Sequence, residues 1–218
     1  MAQALRNAWH LGGEPIQNLV KVLEKHSIVI MKFDFKTDKL DAFFMPLPCN
    51  VICIALNANP AFSADRQNFS LAHELGHALM HQEQVQDDSL EKEADAFASE
   101  FLFPAQAVEE EYKAGLSFSL LKALKQKWRI SMQAILFRGH KLKWIDDKTY
   151  RRFYIYFSSQ GLRKHEPPCG VENDQPTLLN NLMKEYMQMP GSVLKKLHLS
   201  SRCFSMRYPE IQQGGKST

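Results

Sequence analysis

The spacing of apolar residues divides the chain into a β-rich part and a longer helical part. Runs of β-branched and aromatic residues predict three strands, over residues 28–33, 42–45 and 51–56. Short connections between consecutive strands favour antiparallel pairing. Apolar residues at helical spacing then predict one helix through residues 69–80 and a second over 90–102. The predicted fold class is therefore α+β.

Two helix starts are also predicted from single residues. Pro15 suits the first turn of a helix, because its ring fixes the backbone angle that a helix needs. Apolar residues continue at helical spacing from Ile16 to Leu23. Asp65 is a candidate N-cap of the helix through residues 69–80, since its side chain can accept a hydrogen bond from a free amide of the first turn.

From Ser119 onward the pattern is helical and basic. Two amphipathic helices, over residues 120–128 and 132–142, meet at a short turn in which Ser131 is the expected N-cap. Such a pair is compatible with a DNA-binding helix-turn-helix. We favour a helical subdomain packed beside the β-rich part, with its lysines in solvent, because no set of base-reading residues stands out. A small helical tail is expected over residues 178–187 and 193–199.

Charge supports a division of the chain. The net charge of +3 hides 8 Lys/Arg against 17 Asp/Glu in residues 1–112, and 19 against 7 in residues 113–218. The two halves therefore carry net charges of −9 and +12. We expect a catalytic domain over residues 1–112, a basic helical subdomain over 113–165, and a linker with a small helical tail over 166–218.

Cysteine usage and hydropathy indicate a protein of the cytoplasm. The four cysteines form neither a zinc-knuckle nor a disulfide pattern, and Cys49 and Cys53 are expected to be buried free thiols beside a strand. The N-terminus shows no secretory signal. The longest strongly apolar run, residues 51–56, is too short to span a bilayer.

The candidate chemistry lies in the sequence His73-Glu74-Leu75-Gly76-His77, which matches H-E-x-x-H. Histidines four residues apart rise on one face of a helix, so His73 and His77 can share a single metal ion. Glu74 is turned about 100° from His73, where it can miss the metal yet reach a water bound to it. The pattern therefore predicts two metal ligands and a general base.

A mononuclear zinc site of this type needs a third protein ligand, which a later helix can supply. Glu91 and Glu93 compete for this role on the helix over residues 90–102. We prefer Glu91, because Asp95 follows one turn later and can orient a ligand from behind. The losing glutamate would be a solvated helix edge. His81 continues the histidine row and is expected to be a helix-end residue near the site entrance.

The motifs together resemble the ImmA/IrrE metallopeptidases of bacteria and phages. The resemblance covers residues 9 to about 167 and rests on five segments: residues 15–19, 66–77, 91–104, 128–134 and 150–153. It implies a zincin-like catalytic domain with a small antiparallel sheet, zinc as cofactor, and Glu91 as third ligand. Many relatives also carry an N-terminal repressor domain, and this chain begins where that domain would end.

The function that this resemblance and the motif imply is a zinc-dependent endopeptidase. Zinc would polarise the scissile carbonyl and acidify water, and Glu74 would take the proton and pass it to the leaving amine. The expected substrate is a repressor or antitoxin-type regulator with a helix-turn-helix, on a separate chain. The alternative is a regulatory interaction protein of a repressor or toxin–antitoxin system, which binds its partner or DNA without proteolysis. No membrane partner is expected.

Overall fold

The computed structural model describes residues 1–47, 51–81, 87–113, 115–163, 165–168, 170 and 172–188. Its helices are α1 (Ala2–Ala8), α2 (Leu19–Lys25), α3 (Ala64–Met80), α4 (Asp88–Leu102), α5 (Ala105–Tyr112), α6 (Phe118–Trp128), α7 (Met132–Lys141), α8 (Asp147–Ser159) and α9 (Leu178–Gln188). Its strands are β1 (Val29–Phe33), β2 (Ala42–Leu47) and β3 (Val51–Asn57). The α+β class is confirmed.

The chain divides into two compact units, Met1–Asp174 and Gln175–Thr218. The first contains the sheet and α1 to α8. The described part of the second contains α9, in agreement with the tail helix predicted at 178–187. The helix predicted at 193–199 lies outside the described residues. The finer division into 1–112, 113–165 and 166–218 stays a prediction.

The sheet is mixed, with the order β1-β3-β2. β2 pairs with β3 antiparallel, as predicted, but β1 pairs with β3 in parallel, so the expectation of a purely antiparallel sheet was wrong. The reason lies at the end of β3. There the buried Asn57 donates side-chain hydrogen bonds to the carbonyls of Thr37 and Leu40, at 2.7 and 2.8 Å. These bonds hold the connection between β1 and β2 across the end of β3, so β1 and β2 lie on opposite sides of β3.

The central strand, β3, contributes most of the buried residues of the sheet. Residues 53–56 of β3 are all buried, whereas β1 and β2 are buried only in part. Cys53 is a buried free thiol, as predicted. Cys49 lies outside the described residues. α3 packs against β2 and β3, and α4 packs against α3 and α1.

Both predicted helix starts were wrong. α2 begins at Leu19, because the side chain of Asn18 accepts a hydrogen bond from the amide of Lys21 and caps the helix there. In α3 the N-cap position is Ser63. Asp65 lies inside the first turn, where its carboxylate binds a lysine from a distant helix.

That lysine is Lys125 of α6, whose side chain is 2% exposed. Its ammonium lies 2.7 Å from Asp65 and 2.8 Å from Glu166. Glu166 also accepts hydrogen bonds from the amides of Met132 and Gln133 at the start of α7. This buried cluster joins the first turn of α3 to α6, to α7 and to the segment after α8.

The expectation that the basic helices are simply solvated therefore fails at several positions. Besides Lys125, Arg129 is buried and pairs with Asp174 at 3.1 Å. Arg138 of α7 pairs with Glu100 of α4. The predicted N-cap Ser131 is present, with its side chain accepting from the amide of Ala134. Among the described residues, no helix combines the length and the apolar character needed to cross a bilayer.

We expect Lys125→Met to lower the free energy of unfolding by about 3–5 kcal/mol, since it leaves two buried carboxylates without a cation. Lys122→Met, at an exposed position of the same helix, is the matched control and should change stability by no more than about 0.5 kcal/mol. Urea unfolding followed by circular dichroism measures both. Equal stability of the two variants would contradict the role given to the cluster.

Candidate metal centre

The two motif histidines meet on one face of α3. His73 and His77 are one helical turn apart, and their Nε2 atoms lie 3.0 Å from each other. His77 is buried, with 8% of its surface exposed, and His73 is half-buried. α3 therefore holds two imidazole nitrogens at one point, as the spacing predicts.

Glu91 of α4 reaches the same point. Its Oε2 lies 3.2 Å from Nε2 of His73, and its Oε1 lies 3.4 Å from Nε2 of His77. One atom from each of these three residues lies within 4.8 Å of the others, the one such group with metal-ligating chemistry in the described part of the chain. The structure thus brings His73, His77 and Glu91 together.

The distance between α3 and α4 is set by Gly76. A Cβ atom built at this position would lie 3.0 Å from Cδ1 of Phe97 and 3.4 Å from the Cα of Ala94. Gly76 lies between the two histidines on the sequence, so its missing side chain lets α4 approach close enough for Glu91 to reach them. A larger residue would move the two helices apart.

Asp95 lies behind His73, on the side away from Glu91. Its Oδ1 is 2.9 Å from Nδ1 of His73. A carboxylate only accepts hydrogen bonds, so in the neutral form of His73 the hydrogen lies on Nδ1 and Nε2 keeps its lone pair. Burial disfavours the charged form of His73, but the hydrogen bond to Asp95 and the nearby carboxylates outweigh it and raise the pKa of His73. Burial, and then the charge of His73, lowers the pKa of His77.

Glu93 does not reach the histidine pair of the motif and binds His81 instead. Its Oε2 lies 3.0 Å from Nε2 of His81. His81, at the C-terminal end of α3, is buried, and its Nδ1 lies 3.1 Å from Nδ1 of His77. Glu93 is largely exposed, and its carboxylate ends a hydrogen-bonded chain that runs through His81 to His77.

Glu74 projects from α3 toward strand β2. Its Oε2 accepts a hydrogen bond of 2.9 Å from the backbone amide of Phe44. Burial raises the pKa of Glu74 to about 7, although the charge of His73 and the amide of Phe44 oppose the shift. A cation held by the neighbouring ligands would favour the ionised form of Glu74 and lower this pKa.

These side chains line a cleft of about 320 Å³. One wall is polar, with His73, Glu74, His77, His81 and Glu91, and the rest is apolar, with Leu40, Ala42, Phe43, Phe44 and Leu90. The ring of Phe44 is stacked on that of His77, with centroids 6.4 Å apart and planes within 10°. The cleft therefore offers an apolar surface next to the converging nitrogen and oxygen atoms.

The outer edge of β2 borders this cleft. The amide of Phe44 binds Glu74, so in the antiparallel ladder with β3 this residue directs its backbone groups away from β3. Pro46, two residues later, has the same orientation, and its missing N–H is tolerated only at such an outer edge. Within the described residues no strand pairs with this edge.

The fold and this combination of residues are those of a metallopeptidase. A family model described as the IrrE N-terminal-like domain, a family of peptidases, matches residues 23–140, which is more than half of the chain. The chain belongs to this family, which confirms the resemblance found in the sequence. A comparison with curated proteins finds no significant match.

Two parts of the site were missed by sequence reasoning. The pairing of Glu93 with His81 had a partial signal, because His81 follows His77 at helical spacing. The contact of Phe44 with Glu74 had none, because it depends on how β2 packs against α3. The sequence predicts strands over residues 28–56, but it does not indicate which of their residues faces Glu74.

We expect Gly76→Val to lower the free energy of unfolding by about 1–3 kcal/mol, because the added methyl groups meet Phe97 and Ala94. Gly13→Val is the control, since a Cβ at Gly13 has no atom within 4 Å. Thermal unfolding of both variants checks the difference. A Gly76→Val protein as stable as the control variant would show that α3 and α4 are not in tight contact there.

Proposed function

We propose that the protein is a zinc-dependent endopeptidase, in which His73, His77 and Glu91 hold the metal and Glu74 is the general base. The observation that carries the proposal is the convergence of two imidazole nitrogens and one carboxylate within 4.8 Å, with the half-buried carboxylate of Glu74 in the same cleft. Membership of a metallopeptidase family supports it.

The donor set fits a zinc ion. If His73 donates from Nδ1 to Asp95, its Nε2 directs a lone pair at Nε2 of His77, 3.0 Å away, with the carboxylate of Glu91 beside both. Facing acceptor atoms repel one another unless a cation lies between them. Two histidines and one glutamate are an established ligand set of catalytic zinc sites, which leave further positions open.

A bound zinc ion would supply Lewis-acid chemistry, polarising the scissile carbonyl and lowering the pKa of water. The protein's own contribution is proton transfer at Glu74. Its carboxylate is held by the amide of Phe44 at one oxygen, Oε2, so the other oxygen is available to take a proton from water and return it to the leaving amine.

Backbone recognition would come from the outer edge of β2. A substrate in extended conformation can add to this edge as a further strand, with main-chain hydrogen bonds that do not depend on its sequence. Phe44 places the edge directly beside Glu74, so an added strand would pass the base. The apolar residues Leu40, Phe43 and Leu90 then offer contacts to substrate side chains in the same cleft.

The substrate class that we propose is a helix-turn-helix regulator of repressor or antitoxin type, on a separate chain. The physical support is the net charge of −9 over residues 1–112, which favours encounter with basic, DNA-binding proteins. Charge of this kind speeds association and does not select a cleavage site. The resemblance to proteins that act with such regulators supports the same class.

The alternative, a regulatory protein that binds DNA or its partner without proteolysis, is less well supported. Three of the basic residues that suggested a DNA-binding pair of helices, Lys125, Arg129 and Arg138, are engaged in ion pairs with carboxylates. A site that only binds a metal also has no use for a general base at the position of Glu74.

We expect the purified protein to bind about one zinc per chain and His73→Ala, His77→Ala or Glu91→Gln to lose most of it, because each removes one of three protein ligands. His165→Ala, at an exposed histidine, is the control. Elemental analysis after dialysis measures the zinc. Equal zinc in the control and the three variants would refute the site, and a greater loss in Glu93→Gln than in Glu91→Gln would refute the choice of third ligand.

We expect Glu74→Gln to keep zinc and fold but to cleave a helix-turn-helix regulator about 10²–10⁴-fold more slowly, the usual contribution of a general base. Glu110→Gln, an exposed glutamate of α5, is the control for removal of the charge. Co-expression of each variant with candidate regulators, followed by electrophoresis and mass spectrometry, measures cleavage. Unchanged turnover in Glu74→Gln would remove its proposed role. Absence of cleavage and of complex with every regulator, in a preparation that cleaves another protein, would refute the substrate class.

A further inference from the structure

We infer that Glu93 and His81 are positioning residues that fix the tautomer of His77, so that its Nε2 is free to bind the metal. The inference rests on the proposed function, because it assigns His77 as a ligand. It concerns a hydrogen-bonded chain of three side chains, Glu93–His81–His77, which runs from the surface of α4 to the candidate metal centre.

The chain is continuous at hydrogen-bond distances. Oε2 of Glu93 lies 3.0 Å from Nε2 of His81, and Nδ1 of His81 lies 3.1 Å from Nδ1 of His77. His81 is 6% exposed and His77 is 8% exposed, so water has little access to the nitrogens between them. Each of the two contacts needs one hydrogen, and each histidine supplies or accepts it according to its tautomer.

An ionised carboxylate at one end decides the direction of the whole chain. Glu93 can only accept, so the hydrogen of a neutral His81 lies on Nε2. Nδ1 of His81 then keeps its lone pair and accepts from Nδ1–H of His77. Nε2 of His77 is left with the lone pair that a metal needs. The opposite order would place two lone pairs together at Glu93 and a hydrogen on Nε2 of His77.

Packing fixes the plane of the His77 ring but not its tautomer. Phe44 is stacked on it, and the His81 ring meets it at 62° with centroids 5.2 Å apart. Both tautomers of an imidazole have the same shape, so these contacts cannot distinguish them. The distinction is left to the hydrogen bond at Nδ1.

The two candidate ligands of α3 are therefore oriented in related but different ways. His73 meets a carboxylate, that of Asp95, directly at 2.9 Å. His77 meets its carboxylate through one additional imidazole. Loss of Glu93 should consequently weaken metal binding without removing it, because Glu93 is not itself a ligand.

The experiment compares Glu93→Gln with Glu110→Gln in full-length protein. A glutamine can donate as well as accept, so Glu93→Gln removes the directional preference with little change of shape. Two-bond ¹H–¹⁵N correlation spectra of zinc-free protein, at a pH where the imidazoles are neutral, report which nitrogen of His77 carries the hydrogen. Competition with a zinc chelator reports the dissociation constant of zinc.

We expect His77 to be mostly in the Nδ1–H form in the unmodified protein and in Glu110→Gln, with a larger share of the Nε2–H form in Glu93→Gln. The dissociation constant of zinc should rise about 10- to 100-fold in Glu93→Gln, the usual effect of losing a residue that orients a ligand. His81→Phe, if it keeps the circular dichroism spectrum of the parent, should show a similar rise.

An unchanged tautomer of His77 or an unchanged zinc affinity in Glu93→Gln would overturn the inference. If His81→Phe does not fold, Glu93→Gln alone decides. Failure of the proposed function is a separate result, since it would appear as absence of zinc binding in the unmodified protein. The spectra are recorded without zinc, so they still decide whether Glu93 sets the His77 ring in that case.

Discussion

The candidate centre depends on the close contact of α3 with α4 at Gly76. The histidines belong to one helix and Glu91 to the other, so the geometry of the group depends on how the two helices pack. The contact of Gly76 with Phe97 and the backbone of Ala94 sets how far apart the two helices lie. Glycine weakens a helix by about 1 kcal/mol relative to alanine. Gly76 therefore lowers the local stability of α3 but allows α4 to lie close to it.

The centre also requires nitrogen and oxygen acceptor atoms to face one another. Residues outside the centre meet this requirement by orienting the histidines. Nitrogen lone pairs and a carboxylate do not stay together unless hydrogen bonds behind them fix their direction. Asp95 does this for His73 through one bond, and Glu93 with His81 is placed to do it for His77. The buried Lys125 cluster stabilises the other end of α3, so both ends of the helix are anchored while its middle presents the site.

Local patterns predicted the three strands and most of the described helices, but not α1, α5 or α8. Long-range contacts explain the other errors. Strands and helices followed from apolar spacing, and His73 and His77 from their spacing on one helix. The parallel pairing of β1 could not be read from the sequence, because it depends on Asn57 binding a loop 17 to 20 residues earlier. Asp65 is of a residue type that often caps helices, but here it pairs with Lys125, which is 60 residues away in the sequence. Glu91 and Glu93 flank the apolar face of one helix on opposite sides, and only the tertiary structure shows which partners each one meets.

The outer edge of β2 also affects whether copies of the protein associate through their strands. An unpaired strand edge is a template for self-association, because another copy can add its own strand to it. Here Pro46 removes one donor from the edge, and the carboxylate of Glu74 occupies the amide of Phe44. An added strand therefore gains fewer hydrogen bonds here than at a regular strand edge, because two donors are missing. A second copy would gain only these few bonds, whereas a substrate would also gain the side-chain contacts of the cleft, so edge-to-edge aggregation is disfavoured.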